Sequence, residues 1–142
     1  SLQKAMPLSK LPGHYKSDKA EKFEDYLKEA GVGMLARKAI ASAKVDLEIK
    51  HDGSKWTITQ GNEKKKLTIE FEEGNEFSET TADGRQYKCV VHAEGEKLVQ
   101  KQHPVKNGEK ESTITRYLED DNTLVFVLQC GSATAKRYFK RV

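Results

Sequence analysis

From Val45 onward, apolar and polar positions alternate. Val45, Leu47 and Ile49 fall on one face of a strand and Asp46, Glu48 and Lys50 on the other, because successive side chains of a strand point to opposite sides. The same period of two returns in KWTITQ, LTIEF, EFSETT, RQYKCVVHA, KLVQKQH, KESTITRYL, TLVFVLQC and AKRYFKRV. Turns carrying Gly, Asn or Asp separate these runs at the spacing of about 8–12 residues expected of a sandwich or barrel. With GHYKS near the start, the pattern predicts about ten strands, most of them in one up-and-down meander. A different period interrupts after the first strand. In SDKAEKFEDYLKEAGVG, Phe23, Tyr26, Leu27 and Ala30 share one face of an amphipathic helix. Ser17 or Asp18 is the expected cap, and Gly31 and Gly33 the stop. A second short helix is expected over about 34–43, with Leu35, Ala39 and Ile40 among its apolar positions.

A flat meander of this length would expose two edges, and closing it into a barrel removes them. Ten strands enclose more space than the eight-stranded size that side chains can fill. Composition agrees: hydrophobic residues make up 36% and charged residues 33%, which suits an interior not packed solid with side chains. The helical hairpin is the one element available to cover the opening. The expected fold is therefore mainly β, a ten-stranded antiparallel up-and-down β-barrel with a two-helix lid over residues 11–142. A flexible extension is expected over 1–10. A lidded barrel with a cavity is a container for a small ligand.

Charge and chemistry narrow the function classes. The net charge is +3, from 25 basic and 22 acidic residues with both signs interspersed, which lacks the footprint of a nucleic-acid binder. Cys89 and Cys130 read as two reduced thiols. No CxxC, HExxH or Cys/His cluster offers a metal site, and no GxSxG or Ser/His/acid order points to an enzyme. No apolar run is long enough to span a membrane. The start, SLQKAMPLSK, lacks the apolar core of a signal peptide; it begins with Ser, so a removed leader would leave no trace.

Two arginines stand out by their faces. In AKRYFKRV, Arg137 and Phe139 share one face, and Lys136, Tyr138 and Lys140 the other. In TITRYL, Arg116 lies between Ile114 and Leu118 on one face. Arginine normally faces solvent. An apolar–Arg–apolar face is therefore either ordinary surface or the wall of a cavity that holds an anion.

The ordered motifs KFEDYLKEAGVGMLARK, FEEGNEFSETTADGR and CGSATAKRYF resemble the intracellular lipid-binding proteins, which include the fatty-acid-binding and cellular retinoid-binding proteins. The resemblance covers about residues 11–142 and implies the β-clam form of the calycin barrel. It implies non-covalent binding and intracellular transport of long-chain fatty acids, without a cofactor, by a monomer in the cytoplasm. By the resemblance, Arg116 and Arg137 hold the ligand carboxylate. The usual tyrosine two positions after the second arginine is Phe139 here, a departure that removes a phenolic donor. By the same resemblance, Phe23, Leu27, Val32 and Ile40 either take the tail or simply pack the lid on the barrel, and Asp83 and Arg85 form either the portal or an ordinary Asp-Gly turn. Lys64, Lys65 and Lys66 form the opposing portal turn, a site for transient membrane contact or a plain solvated charge run. Lys28, Arg37 and Lys38 match either a nuclear-import patch, implying import machinery and a nuclear receptor as partners, or an ordinary basic face. Retinoic acid or another bulky lipid is the alternative ligand on the same fold.

Overall fold

The computed structural model describes residues 5–142. Ten strands follow in chain order: β1 (Gly13–Glu21), β2 (Asp46–Asp52), β3 (Lys55–Gly61), β4 (Lys66–Glu72), β5 (Phe77–Thr80), β6 (Gln86–Glu94), β7 (Lys97–Pro104), β8 (Ser112–Asp120), β9 (Thr123–Cys130) and β10 (Ala133–Arg141). Helices α1 (Phe23–Glu29) and α2 (Met34–Ser42) lie between β1 and β2. All paired strands are antiparallel, and β1 joins β10, so the meander curls round on itself. The expected ten-stranded barrel with a helical lid is what forms.

Closure is incomplete. The sheet runs β4-β3-β2-β1-β10-β9-β8-β7-β6-β5, and no ladder joins β4 to β5. Side chains fill the seam instead: Phe71 of β4 stacks on Phe77 of β5 with ring centroids 5.6 Å apart, and Trp56 and His51 continue the stack along β3 and β2. Aromatic contact across the seam replaces part of what the missing hydrogen bonds would supply.

The first strand is longer than its sequence suggests. Ser17 and Asp18, expected to cap a helix, lie inside β1, and α1 starts only at Phe23. The ladder wins over the local capping signal because Ser17 is held on both sides. Its N–H donates to Val45 O at 2.8 Å, its Oγ accepts from Val45 N at 2.8 Å, and its backbone lies opposite Phe139 of β10. Lys22 then takes the left-handed conformation at φ 55° and turns the chain into the helix without a side-chain cap.

Of the extension expected over 1–10, residues 1–4 lie outside the described residues. Residues 5–10 are tied to the barrel: Met6 N donates to Leu118 O at 3.0 Å and Leu8 N to Glu96 Oε2 at 2.8 Å. A 3-10 turn over Leu8–Lys10 leads to the fully buried Leu11.

In α1 the expected apolar face is the buried one: Phe23, Tyr26, Leu27 and Ala30 all pack inward. Helix α2 differs. Leu35, one of its expected apolar positions, is 88% exposed, Ala39 is exposed too, and α2 has no fully buried residue. Only Ala36, Ile40 and Ala41 lean on the core. The second half of the lid is thus held by little apolar contact.

At the end of β3, Gly61 sits at φ 152°, where a Cβ would come 2.1 Å from Lys65 O and 2.8 Å from Lys66 Cα. Backbone, not a movable side chain, occupies that space. Gly61→Ala is expected to cost about 2 kcal/mol or more by splaying the β3–β4 turn, and thermal unfolding against the parent checks it.

Candidate functional site: an arginine-lined cavity inside the barrel

Inward faces of several strands and α1 enclose a cavity of about 120 Å³. Its apolar wall comes from Phe23, Leu27, Ile40, Leu67, Ile114, Phe126 and Leu128. Its charged lining is Glu79, Asp83, Arg85, Arg116 and Arg137. A second void of about 140 Å³ adjoins it and shares Ile40, Gln60, Leu67, Ala82 and Arg137.

Both arginines point inward, as the alternation of their strands requires. The register sets them side by side: Phe126 of β9 lies opposite Arg116 on β8 and opposite Arg137 on β10. Arg116 is 4% exposed, stacks its guanidinium 4.7 Å above the Phe126 ring, and donates through Nη1 to Gln100 Oε1 at 2.7 Å. Its Nε is buried with no hydrogen-bond partner. Arg137 stacks on two ring faces, Phe23 at 4.4 Å and Phe139 at 5.0 Å. Burial disfavours the charged form of each and lowers both arginines to about 10, Glu79 partly offsetting this for Arg116. Among the described residues, neither guanidinium forms an ion pair.

Phe139, expected beside the ligand head, is fully buried and packs against Phe126 at 4.8 Å, beneath Arg137 rather than on the cavity wall. Phe23, Leu27 and Ile40 do line the cavity. Val32 does not: it is 2% exposed within the lid turn, where its N–H donates to Leu27 O.

Sequence reasoning missed a polar chain opposite the arginines. Gln100 and Gln102 both donate through Nε2 to Glu79 Oε1, each at 2.8 Å, and the Cys89 thiol reaches the same oxygen at 3.6 Å. Gln100 thereby links Glu79 to Arg116, its nitrogen on the acid and its oxygen on the guanidinium. Burial raises the Cys89 thiol to about 12. Alternation in KLVQKQH, which puts Leu98, Gln100 and Gln102 on one face, was the available signal.

Asp83 and Arg85 form a latch beneath the lid. Arg85 donates through Nε to Asp83 Oδ2 at 2.7 Å and through Nη2 to Asp83 Oδ1 at 3.1 Å. Its Nη1 reaches the Ala30 carbonyl at the end of α1 at 3.1 Å and also the Tyr87 hydroxyl. Thr81 Oγ1 donates to Asp83 Oδ1 at 2.7 Å. The pair is therefore an anchor joining the β5–β6 turn to α1. Nearby, Tyr26 of α1 bonds Ser112 of β8 in the interior. At the mouth, Lys65 Nζ donates to the Ala82 carbonyl at 2.8 Å, joining the β3–β4 turn to the β5–β6 turn across the open seam. Lys64 and Lys66 are exposed there.

On the lid, Lys28 is exposed, Arg37 donates to the Val32 carbonyl at 3.0 Å, and Lys38 pairs with Glu24 at 3.2 Å. No group of three or more His, Cys, Asp or Glu is placed to hold a metal among the described residues. No helix among them is long and apolar enough to cross a membrane.

Comparison with known proteins agrees with the barrel fold. Fatty acid-binding protein homolog 5 of Caenorhabditis elegans is 44% identical over 136 residues, covering 96% of this chain and 99% of its own. The crystal structure of apo lipid binding protein 8 of the same nematode superposes with a TM-score of 0.89 at 34% identity, over 97% of this chain and all of that one. A Schistosoma mansoni fatty acid binding protein in complex with arachidonic acid gives 0.87 at 29% identity, over 96% of this chain and 99% of its own. The profile of the lipocalin / cytosolic fatty-acid binding protein family matches residues 12–142, and the chain belongs to that family.

Proposed function

We propose that the protein binds a long-chain fatty acid non-covalently inside the barrel and carries it through the cytosol. The observation that carries this reading is Arg137, a largely buried cation on the cavity wall that stacks on aromatic faces and, among the described residues, forms no ion pair. A buried charge without a partner is costly. A ligand carboxylate supplies the partner through charge-assisted hydrogen bonds. Arg116 stands one strand pair away with its Nε unpartnered and gives the second contact, direct or through water. Phe139 offers no donor, so the head is held by guanidinium groups.

The tail lies along Phe23, Leu27 and Ile40 and supplies most of the affinity. At about 0.8 kcal/mol per buried methylene, a chain of about sixteen carbons contributes on the order of 10 kcal/mol before ordering costs. A long chain needs more room than either void provides, so binding requires the lid side to yield. Helix α2, which buries no residue fully, is the element that gives most readily. The schistosome relative's complex with arachidonic acid supports the ligand class.

Membrane contact through the exposed Lys64 and Lys66 belongs to the same reading, as the route by which the lipid is handed over. Use of Lys28, Arg37 and Lys38 for nuclear import requires Arg37 to leave the Val32 carbonyl and Lys38 to leave Glu24.

Gentle purification followed by solvent extraction and mass spectrometry tests the proposal, with Arg116→Ala and Arg137→Ala alongside. Near-stoichiometric fatty acid in the parent and depletion in the variants is expected. Equal retention in all three would mean that the arginines do not hold the head. Tighter binding of retinoic acid than of hexadecanoate by the delipidated protein would move the ligand class to retinoids.

A further inference from the structure

The cavity holds a carboxylate of its own. Glu79 lies on the wall with Arg116 and Arg137, and a fatty-acid head would enter a space already containing a negative charge. Asp83 and Arg85 cancel each other through their two-point contact. Glu79 opposes Arg116 through the bridging amide of Gln100. That leaves Arg137: three arginines against two acids give the cavity a formal charge of one positive unit. Lys65, on the neighbouring void, is exposed and occupied with the Ala82 carbonyl at the mouth.

We propose that Glu79 is a specificity-determining residue that limits the ligand head to a single negative charge, so that the cavity accepts monoanionic amphiphiles and rejects dianionic ones of the same size and tail. The inference rests on the fatty-acid reading and deepens it. One anionic charge neutralises the cavity. A second has no remaining cation and faces Glu79 in a region where water screens poorly. Glu79 cannot swing aside at little cost: two buried glutamines, Gln100 and Gln102 at 0% and 4% exposure, hold the same oxygen and would lose their acceptor.

The test uses two amphiphiles that share a tetrahedral head and a tail but differ in charge. Hexadecyl sulfate is a monoanion. Hexadecyl phosphate is a dianion at about pH 8, since the second ionisation of a phosphate monoester lies near about 6. Each displaces a fluorescent fatty acid from the delipidated full chain at submicellar concentration. The parent is expected to bind the sulfate at least about tenfold more tightly than the phosphate. Glu79→Gln keeps an acceptor oxygen for the two glutamines and should bring the ratio within about threefold by tightening the phosphate. Glu79→Asp, which keeps the charge, should preserve the preference.

A parent that does not discriminate, or a ratio unchanged in Glu79→Gln, overturns the proposal. Should that variant not fold, the parent alone decides: lowering the pH to about 5 turns the phosphate into a monoanion and should collapse the ratio, and persistence of the ratio overturns the proposal. Hexadecanoate and hexadecanol test the underlying reading separately. Failure of the parent to bind hexadecanoate, or equal affinity for the alcohol, overturns the carboxylate site itself, whatever the sulfate-to-phosphate ratio.

Discussion

Arg137→Met is expected to raise the thermal stability of the ligand-free protein while weakening hexadecanoate binding by about 30- to 150-fold. The two effects have opposite signs because the same charge is a burden in one state and a partner in the other. Without ligand, the Arg137 guanidinium rests on Phe23 and Phe139 with no ion-pair partner among the described residues, and burial lowers its proton affinity. Cation–π contact returns about 0.5–2 kcal/mol of the desolvation cost. Methionine fills similar length with no charge to bury, so the ligand-free variant should gain about 1 kcal/mol, or about 3–5 °C in a chain of this size. In the complex, the carboxylate loses a buried cationic partner, which costs about 2–3 kcal/mol. Melting curves of delipidated protein and a hexadecanoate titration, run on the same preparations, check both halves. A variant that melts lower and binds equally well would make Arg137 a structural residue.

Arg116→Met should behave differently. Arg116 is bonded to Gln100, and its removal leaves the Gln100 oxygen and the Glu79 charge without a counterpart. The ligand-free protein should therefore lose stability, not gain it, which separates the roles of two arginines that look alike in the sequence.

Asp83→Ala is expected to lower stability by about 3 kcal/mol, near 10 °C in melting temperature, the largest loss from any single polar residue here. Both partners of the pair are mostly enclosed, with side chains 12% and 14% exposed. Removing the acid strands the Arg85 guanidinium under the lid with only the Ala30 carbonyl, the Tyr87 hydroxyl and a ring face to receive it. Asp83→Ala combined with Arg85→Met should cost less than the two single losses added together, because no charge is then left behind. The pair also sets an acid limit. Burial alone would raise the Asp83 carboxyl; the hydrogen bonds from Arg85 and Thr81, together with the Arg85 charge, outweigh it and hold the group below the ordinary carboxylate range. A folded-state value below the unfolded one means that Asp83 stabilises the fold fully above the unfolded carboxylate range and loses that contribution as pH falls through the folded value. The parent should thus lose stability faster than Asp83→Ala below about pH 4. Denaturant unfolding across the acid range checks this, and parallel pH profiles would show that Asp83 is not the group responsible.

Much of this protein was legible in its sequence because local pattern and global structure agree over most of the chain. Alternation grouped Arg116 with Ile114 and Leu118 and Arg137 with Phe139, and the family resemblance turned those faces of β8 and β10 inward. The i, i+3, i+4, i+7 spacing of Phe23, Tyr26, Leu27 and Ala30 identified the buried face of α1. Each of these signals depends only on residues a few positions apart, where backbone geometry alone sets direction. Ser17 and Asp18 misled for the complementary reason: they carry a good capping signal, yet strand β1 runs through both, held at Ser17 by Val45 and by a pairing with Phe139, 122 positions away. Leu35 misled because a short helix with apolar residues on more than one side does not declare which side the barrel will cover.

The sequence by itself determined most element types, which side chains share a face with each arginine, and the mild, mixed charge of the chain, since these follow from period, composition and chirality. Tertiary structure alone decided what those side chains meet. It left β4 and β5 unpaired and closed their seam with Phe71 and Phe77, placed Phe126 between the two arginines, and turned Glu79 toward Gln100 and Gln102. It also made Asp83 and Arg85 a latch on the end of α1. Most of these contacts join different strands, or a turn and the lid, so they depend on register and on how the sheet curls, which periodicity along the chain does not fix.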